Sequence, residues 1–181
     1  MLILASGSPR RHELLRNAGF AHVVKPANID ESRRARESAV ELVKRLATEK
    51  ARAVERGSGD VVLGADTEVC LGDEVFGKPS DEEDARRMLR LLSGRTHRVH
   101  TGLCILTGTG EIVDVASTDV AFVNLTESEI TEYTRSGEPF GKAGAYGIQG
   151  LASKFVESIH GCYHNVVGLP VSLVYQHLKS I

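Results

Sequence analysis

The stretch Leu2-Ile3-Leu4-Ala5-Ser6-Gly7-Ser8-Pro9-Arg10-Arg11 decides the fold class. Leu2 to Ala5 is an apolar run of the length of a short buried strand. Ser8 and Pro9 follow as an N-cap and a first-turn proline, so a helix opens at once, runs to about Asn17 and is closed by Gly19. A strand that passes into a helix across Ser6-Gly7-Ser8 is how an α/β unit begins. It also leaves free backbone N–H groups and the positive end of a helix dipole in the connecting loop, where an anion is favoured.

The chain continues in the same manner. Glu37 to Arg56 carries Val40, Leu42, Val43, Leu46, Ala47, Ala51 and Val54 at helical spacing, which predicts a long amphipathic helix stopped by Gly57. Val61 to Ala65 and Glu68 to Val75 read as strands, the second turning over Gly72-Asp73. Ser80 with Glu83 reads as a capping box for a helix that reaches Leu92 and ends at Gly94. Val99 to Leu106 and Ile112 to Val123 flank Thr107-Gly108-Thr109-Gly110 and predict a long antiparallel hairpin. A second box, Thr126 with Glu129, opens a helix to Ser136. Gly141 to Gly150 then packs four glycines around Lys142, Tyr146 and Gln149, too broken for regular structure and suited to a binding surface. Phe155 to Ile159 alternates like a strand, and Gly168-Leu169-Pro170 leads into a final helix ending near Ser180, whose stripe Val171, Leu173, Val174 and Leu178 reads as core. Alternation first and a hairpin later give α/β or α+β with a mixed sheet, in one domain over residues 1–181 with no repeat or linker.

Composition narrows the function. With 22 Lys plus Arg against 24 Asp plus Glu, the net charge of -2 offers no global field for nucleic acid or an anionic membrane, and 5% aromatic residues leave little for base stacking. Any phosphate-binding charge must be local. Cys70, Cys104 and Cys162 are odd in number and widely spaced, which argues against a disulfide framework or structural zinc and suits a reducing cytoplasm. No stretch approaches the roughly 20 apolar residues of a membrane span, and the N-terminus lacks a basic region before its apolar run, so a soluble, unprocessed protein is expected.

Several residues could carry chemistry. Ser6, Arg10 and Arg11 lie at the strand-to-helix loop, a phosphate cradle or an ordinary turn with two solvated arginines. Neither a Walker A loop nor GxGxxG is present. Asp66, in Gly64-Ala65-Asp66-Thr67, follows an apolar strand, where a carboxylate binds metal, activates water or forms a turn. Glu31 is a second loop carboxylate, and two such groups could share one Mg²⁺. Lys78 and Arg95 each place a cation in a glycine-bounded loop. Lys50, deep in the long helix, reads as a solvated lysine or one that reaches a phosphate. His12, His22, His100, His160, His164 and His177 show no ligand spacing.

In order along the chain, LASGSPRR (4–11), ADT (65–67), GKP (77–79), SGRTH (93–97), EPFGKAGAYGIQG (138–150) and NVVGLP (165–170) resemble the Maf family of nucleoside triphosphate pyrophosphatases. The resemblance covers nearly the whole chain, and LASGSPRR and KAGAYGIQG are too long for both to arise by chance. It implies a two-lobed α/β fold with a central mixed sheet flanked by helices and a cleft, related to the inosine triphosphate pyrophosphatases. It also implies a homodimer, a divalent metal, Mg²⁺ or Mn²⁺, and hydrolysis between the α and β phosphates of a nucleoside triphosphate.

Matched motif by motif, the resemblance makes Asp66 the proton acceptor and Glu31 a catalytic acid at the metal, with Asp66 also a metal ligand. Lys78 becomes a catalytic cation, and Ser6, Arg10, Arg11, Lys50 and Arg95 become phosphate-facing groups. Arg10, Thr67 and Gln149 match the positions that set base preference, with Lys142 on the same loop. KAGAYGIQG resembles the subgroup acting on dTTP and UTP rather than the one acting on methylated GTP. Gln149 suits the O4 and N3–H edge of uracil or thymine because an amide both donates and accepts, and modified pyrimidines share that edge. Glu68 and Gly141 depart from the family pattern, at positions where an apolar residue and Asp are common. The family name also suggests a second reading, a non-catalytic nucleotide-binding regulator of septum formation.

Overall fold

A computed structural model describes all 181 residues. Its strands are β1 (Leu2–Leu4), β2 (His22–Val24), β3 (Val61–Leu71), β4 (Glu74–Phe76), β5 (Thr96–Leu106), β6 (Glu111–Phe122) and β7 (Val156–His160). Its helices are α1 (Pro9–Asn17), α2 (Ala39–Arg52), α3 (Glu82–Leu92), α4 (Glu127–Arg135), α5 (Tyr163–Val167) and α6 (Val171–Lys179), with short 3-10 turns at Ala143–Ala145 and Leu151–Phe155. The strands form one sheet in the order β2-β1-β3-β5-β6-β7, with β4 paired to β3. β1 runs parallel to β2 and β3, whereas β4 on β3 and β7 on β6 are antiparallel, so the sheet is mixed and the fold is α/β. No helix is long and apolar enough to cross a membrane.

The chain divides into two compact units. The first comprises Met1–Thr67, Thr101–Ala116 and Gly168–Ile181. Its core gathers Ile3, Ala5, Ala47, Ala51, Val54, Val62 and Cys104. The small residues are there because α2 lies almost on the sheet. A Cβ on Gly64 of β3 would stand 2.1 Å from the Ala47 carbonyl oxygen, and one on Gly102 of β5 would stand 2.2 Å from that of Val43. Ala47, Ala51, Gly64 and Gly102 thus form a seam on which the helix backbone rests. We expect Gly64→Ala to push α2 outward and destabilise the protein by about 1–3 kcal/mol through overpacking, read as a lower midpoint in urea unfolding.

The second unit, Glu68–His100 and Ser117–Val167, has an aromatic centre. Phe122 meets Tyr146 edge-on at 4.8 Å and Phe155 at 6.3 Å, and Tyr133 meets Phe155 at 5.3 Å, the edge-to-face arrangement that ring quadrupoles favour.

Several local expectations shift. β3 is one strand through Asp66 and Thr67 rather than two strands parted by a turn. Asp bends a chain when its oxygen captures a nearby backbone N–H, and here Asp66 is engaged by Lys50 instead. The long helix starts at Ala39 on a capping box of Ser38 with Glu41 and ends at Arg52, before Gly57. Gly57 serves a turn closed by the Asp60 carboxylate. Asp81, not Ser80, caps α3, accepting from the Asp84 N–H at 2.8 Å. The box at Thr126 and Glu129 stands as read. β2 and α5, three and five residues long, are too short for a periodic signal and are held by their neighbours.

Candidate active site

The first unit builds a charged cluster from the glycine seam. Side chains alternate along a strand, so Gly64 and Asp66 present the same face of β3, the one on which α2 lies. Lys50 is one turn beyond Ala47 on that helix. Its Nζ reaches Asp66 Oδ1 at 2.6 Å and Glu31 Oε1 at 2.6 Å. Lys50 and Asp66 are both buried, at 7% and 6% exposure, while Glu31 comes from the exposed loop before α2. The solvated reading of Lys50 is therefore replaced, because the close seating of α2 delivers its ammonium to a buried carboxylate. Asp66 Oδ2 is buried without a hydrogen-bond partner.

The other face of β3 carries Thr67 and meets α1. Arg11, also buried, donates from Nε to the Gly168 carbonyl at 2.8 Å, and its two terminal nitrogens donate to Ser6 Oγ at 3.0 Å and Thr67 Oγ1 at 2.9 Å. Thr67 Oγ1 also lies 2.9 Å from Thr101 Oγ1. Arg11 thus ties the loop after β1, the middle of β3 and the chain before α6 into one knot, which corrects the picture of a solvated arginine. Its neighbour Arg10 is half-buried and its guanidinium makes no hydrogen bond or ion pair; partial burial lowers its pKa below the ordinary arginine value. Ser8 sits at the N-cap of α1 but its side chain caps nothing, which leaves the positive end of the helix uncapped by it beside Arg10. That combination is suited to an anion.

The second unit brings three other motifs together. The Gly144 N–H donates to the Gly77 carbonyl at 3.2 Å, joining the loop of Lys142 to that of Lys78. His97 Nε2 lies 2.8 Å from Tyr146 Oη, joining the Arg95 loop to the same segment. Burial pushes the His97 imidazole down to about 4 and the Tyr146 hydroxyl far up, so the two share a hydrogen bond as neutral groups. Lys78, Arg95 and Gln149 are exposed and Lys142 is half-buried, its ammonium donating to the Glu138 carbonyl. Gly141 has φ +73°, the left-handed region that glycine adopts without strain, which accounts for its tolerance at a position where the family pattern has Asp. Glu68 shares the Asp66 face of β3 by strand parity.

Glu31 and Asp66 suit a hard divalent cation. One oxygen of each already converges on the lysine ammonium, so the pair is arranged around a positive charge. The chain offers no cluster of three or more His, Cys, Asp or Glu residues for a metal. Two carboxylates completed by phosphate and water oxygens are the usual Mg²⁺ arrangement at nucleotide sites.

Some of the framework was not visible in the sequence. Thr101 lies in no motif, and although Gly168 and Glu138 lie within motifs, no pattern assigns the Gly168 carbonyl to Arg11 or shows the Glu138 carboxylate accepting from Tyr133 Oη at 3.0 Å and from the Leu151 N–H at 2.9 Å.

The family described as Maf-like protein matches residues 1–181 from end to end. The chain belongs to the Maf-like family. Among curated relatives, the dTTP/UTP pyrophosphatase of Koribacter versatilis is 49% identical, over 98% of this chain and 93% of its own. That of Anaeromyxobacter sp. (strain Fw109-5) is 53% identical, over 98% and 88%, and one from Bacillus cereus is 47% identical, over 99% and 94%. A HAM1 protein from Coxiella burnetii has a similar fold, with a TM-score of 0.53, 14% identity and coverage of 99% of this chain and 98% of its own. The Maf-like fold is thus an open mixed sheet flanked by helices, shared with the HAM1 protein.

Proposed function

We propose that this chain is a nucleoside triphosphate pyrophosphatase that hydrolyses dTTP and UTP to the monophosphate and pyrophosphate. The name shared by its full-length relatives at about half identity supports the activity and the base class. The observation that carries the chemistry is Asp66, buried, with Oδ1 held by Lys50 and Oδ2 open.

In this reading Asp66 Oδ2 orients a water toward the α-phosphorus and takes its proton as the new P–O bond forms and the bond to the β-phosphate oxygen breaks. Lys50 fixes the carboxylate so that the open oxygen has one direction. A divalent cation, Mg²⁺ or Mn²⁺, would be held by Asp66 and Glu31 and would neutralise phosphate charge and polarise the phosphoryl group. Arg10, Ser6 and the N-terminus of α1 bind phosphate oxygens, and Arg11 keeps Ser6 and Thr67 in place. By the motif resemblance alone, Lys78, Arg95 and Lys142 are assigned as further cations and Gln149 as the reader of the base. The substrate is a small molecule, with no role for nucleic acid or membrane, and the protein works as one domain, a homodimer, in the cytoplasm.

The test is pyrophosphate release from UTP, dTTP, CTP, GTP, ATP and 7-methyl-GTP, with Mg²⁺, Mn²⁺ or chelator. Selective release from UTP and dTTP supports the proposal. Release of orthophosphate instead, or activity on 7-methyl-GTP alone, overturns it. Gln149→Ala is expected to lower the preference for UTP over CTP and GTP by about tenfold, the effect of losing a base-edge hydrogen bond, with a much smaller change in kcat on UTP. An equal loss on all three substrates would remove Gln149 from base reading.

A further inference from the structure

We propose that Glu138 is the positioning residue for base selection, acting through Gln149. The inference rests on the reading of Gln149 just given. Residues 147–150 form a tight turn closed by the Gly150 N–H on the Gly147 carbonyl at 3.1 Å, with Ile148 buried beneath it and Gln149 exposed at its crest. Both shoulders of that turn are fastened to one carboxylate. Two residues after Gln149, the Leu151 N–H donates to Glu138 Oε2 at 2.9 Å. Two residues before it, the Gly147 N–H donates to Tyr133 Oη at 3.2 Å, and that hydroxyl donates to Glu138 Oε1 at 3.0 Å. Burial, reinforced by the Glu138 charge, pushes the Tyr133 hydroxyl well above its ordinary value, so it remains a donor.

The glycines of the motif follow from this clamp. A Cβ on Gly150 would stand 2.4 Å from Glu138 Oε2, and one on Gly147 would stand 2.9 Å from Lys142 Cε. Gly150 has φ -107°, open to any residue, so glycine is needed there for room and not for backbone freedom. Lys142 itself donates to the Glu138 carbonyl, so the same residue also anchors the loop's cation. Every hydrogen bond of the Glu138 carboxylate goes to Tyr133 or to Leu151 and Ala152, on the far shoulder of the Gln149 turn. A carboxylate can accept from both shoulders together, whereas an amide has one acceptor oxygen, so keeping the Leu151 N–H would reverse the bond to Tyr133 and leave that hydroxyl proton without its acceptor.

The experiment measures kcat and KM for UTP and CTP with Mg²⁺, comparing the unaltered protein with Glu138→Gln, Tyr133→Phe, Gln149→Ala and Glu138→Gln/Gln149→Ala. Glu138→Gln is expected to lower the UTP-over-CTP ratio of kcat/KM by about fivefold, the weight of one hydrogen bond, mostly through KM for UTP. Tyr133→Phe, which keeps the carboxylate, is expected to do the same to a smaller extent and carries the test should the first variant not fold. Because Glu138 acts through Gln149, the double variant should lose no more selectivity than Gln149→Ala alone. Selectivity kept in Glu138→Gln and Tyr133→Phe but lost in Gln149→Ala overturns the positioning role alone. Selectivity kept in Gln149→Ala overturns the reading of Gln149 and this inference with it.

Discussion

Asp66→Asn is expected to lower kcat for pyrophosphate release from UTP by about 10²–10⁴-fold, the usual weight of a positioned general base. The substitution is close to isosteric. The amide oxygen can still accept from Lys50 Nζ, which lies 2.6 Å from Asp66 Oδ1, and Glu31 still faces the ammonium. The NH₂ then falls where the open Oδ2 now is, so a proton acceptor becomes a donor at the one position that needs to accept. Affinity for UTP should fall far less than kcat, since Arg10, Ser6 and the α1 amides are untouched. Rapid-quench turnover alongside equilibrium binding of a non-hydrolysable UTP analogue separates the two. Turnover at the level of the unaltered protein would remove Asp66 from the chemistry.

Lys50→Met is expected to have the largest effect on stability and to abolish turnover as well. Removing one partner of a buried ion pair leaves the other charge desolvated, which costs about 3–5 kcal/mol. Most of that comes from Asp66, since Glu31 is 46% exposed in its side chain and water can take over its solvation. For a chain of this length the melting temperature should fall by roughly 6–20 °C. Lys50→Met/Asp66→Leu, which removes both buried charges, should recover much of the lost stability while remaining inactive. A single variant that melts with the unaltered protein would mean that Asp66 is solvated in solution.

The sequence was legible where the physics is local. A strand, three small residues, serine and proline in succession define β1 and the start of α1, and the structure reproduces both. Thr126 and Glu129 cap α4 through atoms three residues apart, so their pattern alone suffices. Legibility failed where a side chain's partner lies elsewhere in the chain. Asp66 reads equally as a turn former or a site carboxylate until Lys50, sixteen residues earlier, is seen to hold it in an extended strand. Arg11 reads as solvated until Gly168, 157 residues away, supplies its acceptor. Gly64 and Gly102 carry no local sign of the helix α2 that lies on them.

By itself, the sequence determined the order of the longer helices and the long hairpin, the absence of a charge field for polyanions, and through its motifs the family. Those features depend on residue type and on spacings of a few positions, over which backbone geometry is nearly constant. Only the tertiary structure decided that Lys50, Asp66 and Glu31 form one cluster, that Arg11 is a buried knot, and that Glu138 clamps the turn beneath Gln149. Each depends on how closely one element can approach another. That distance is set by side-chain volume at remote positions, a missing Cβ at Gly64, Gly102 and Gly150, and no local pattern records it.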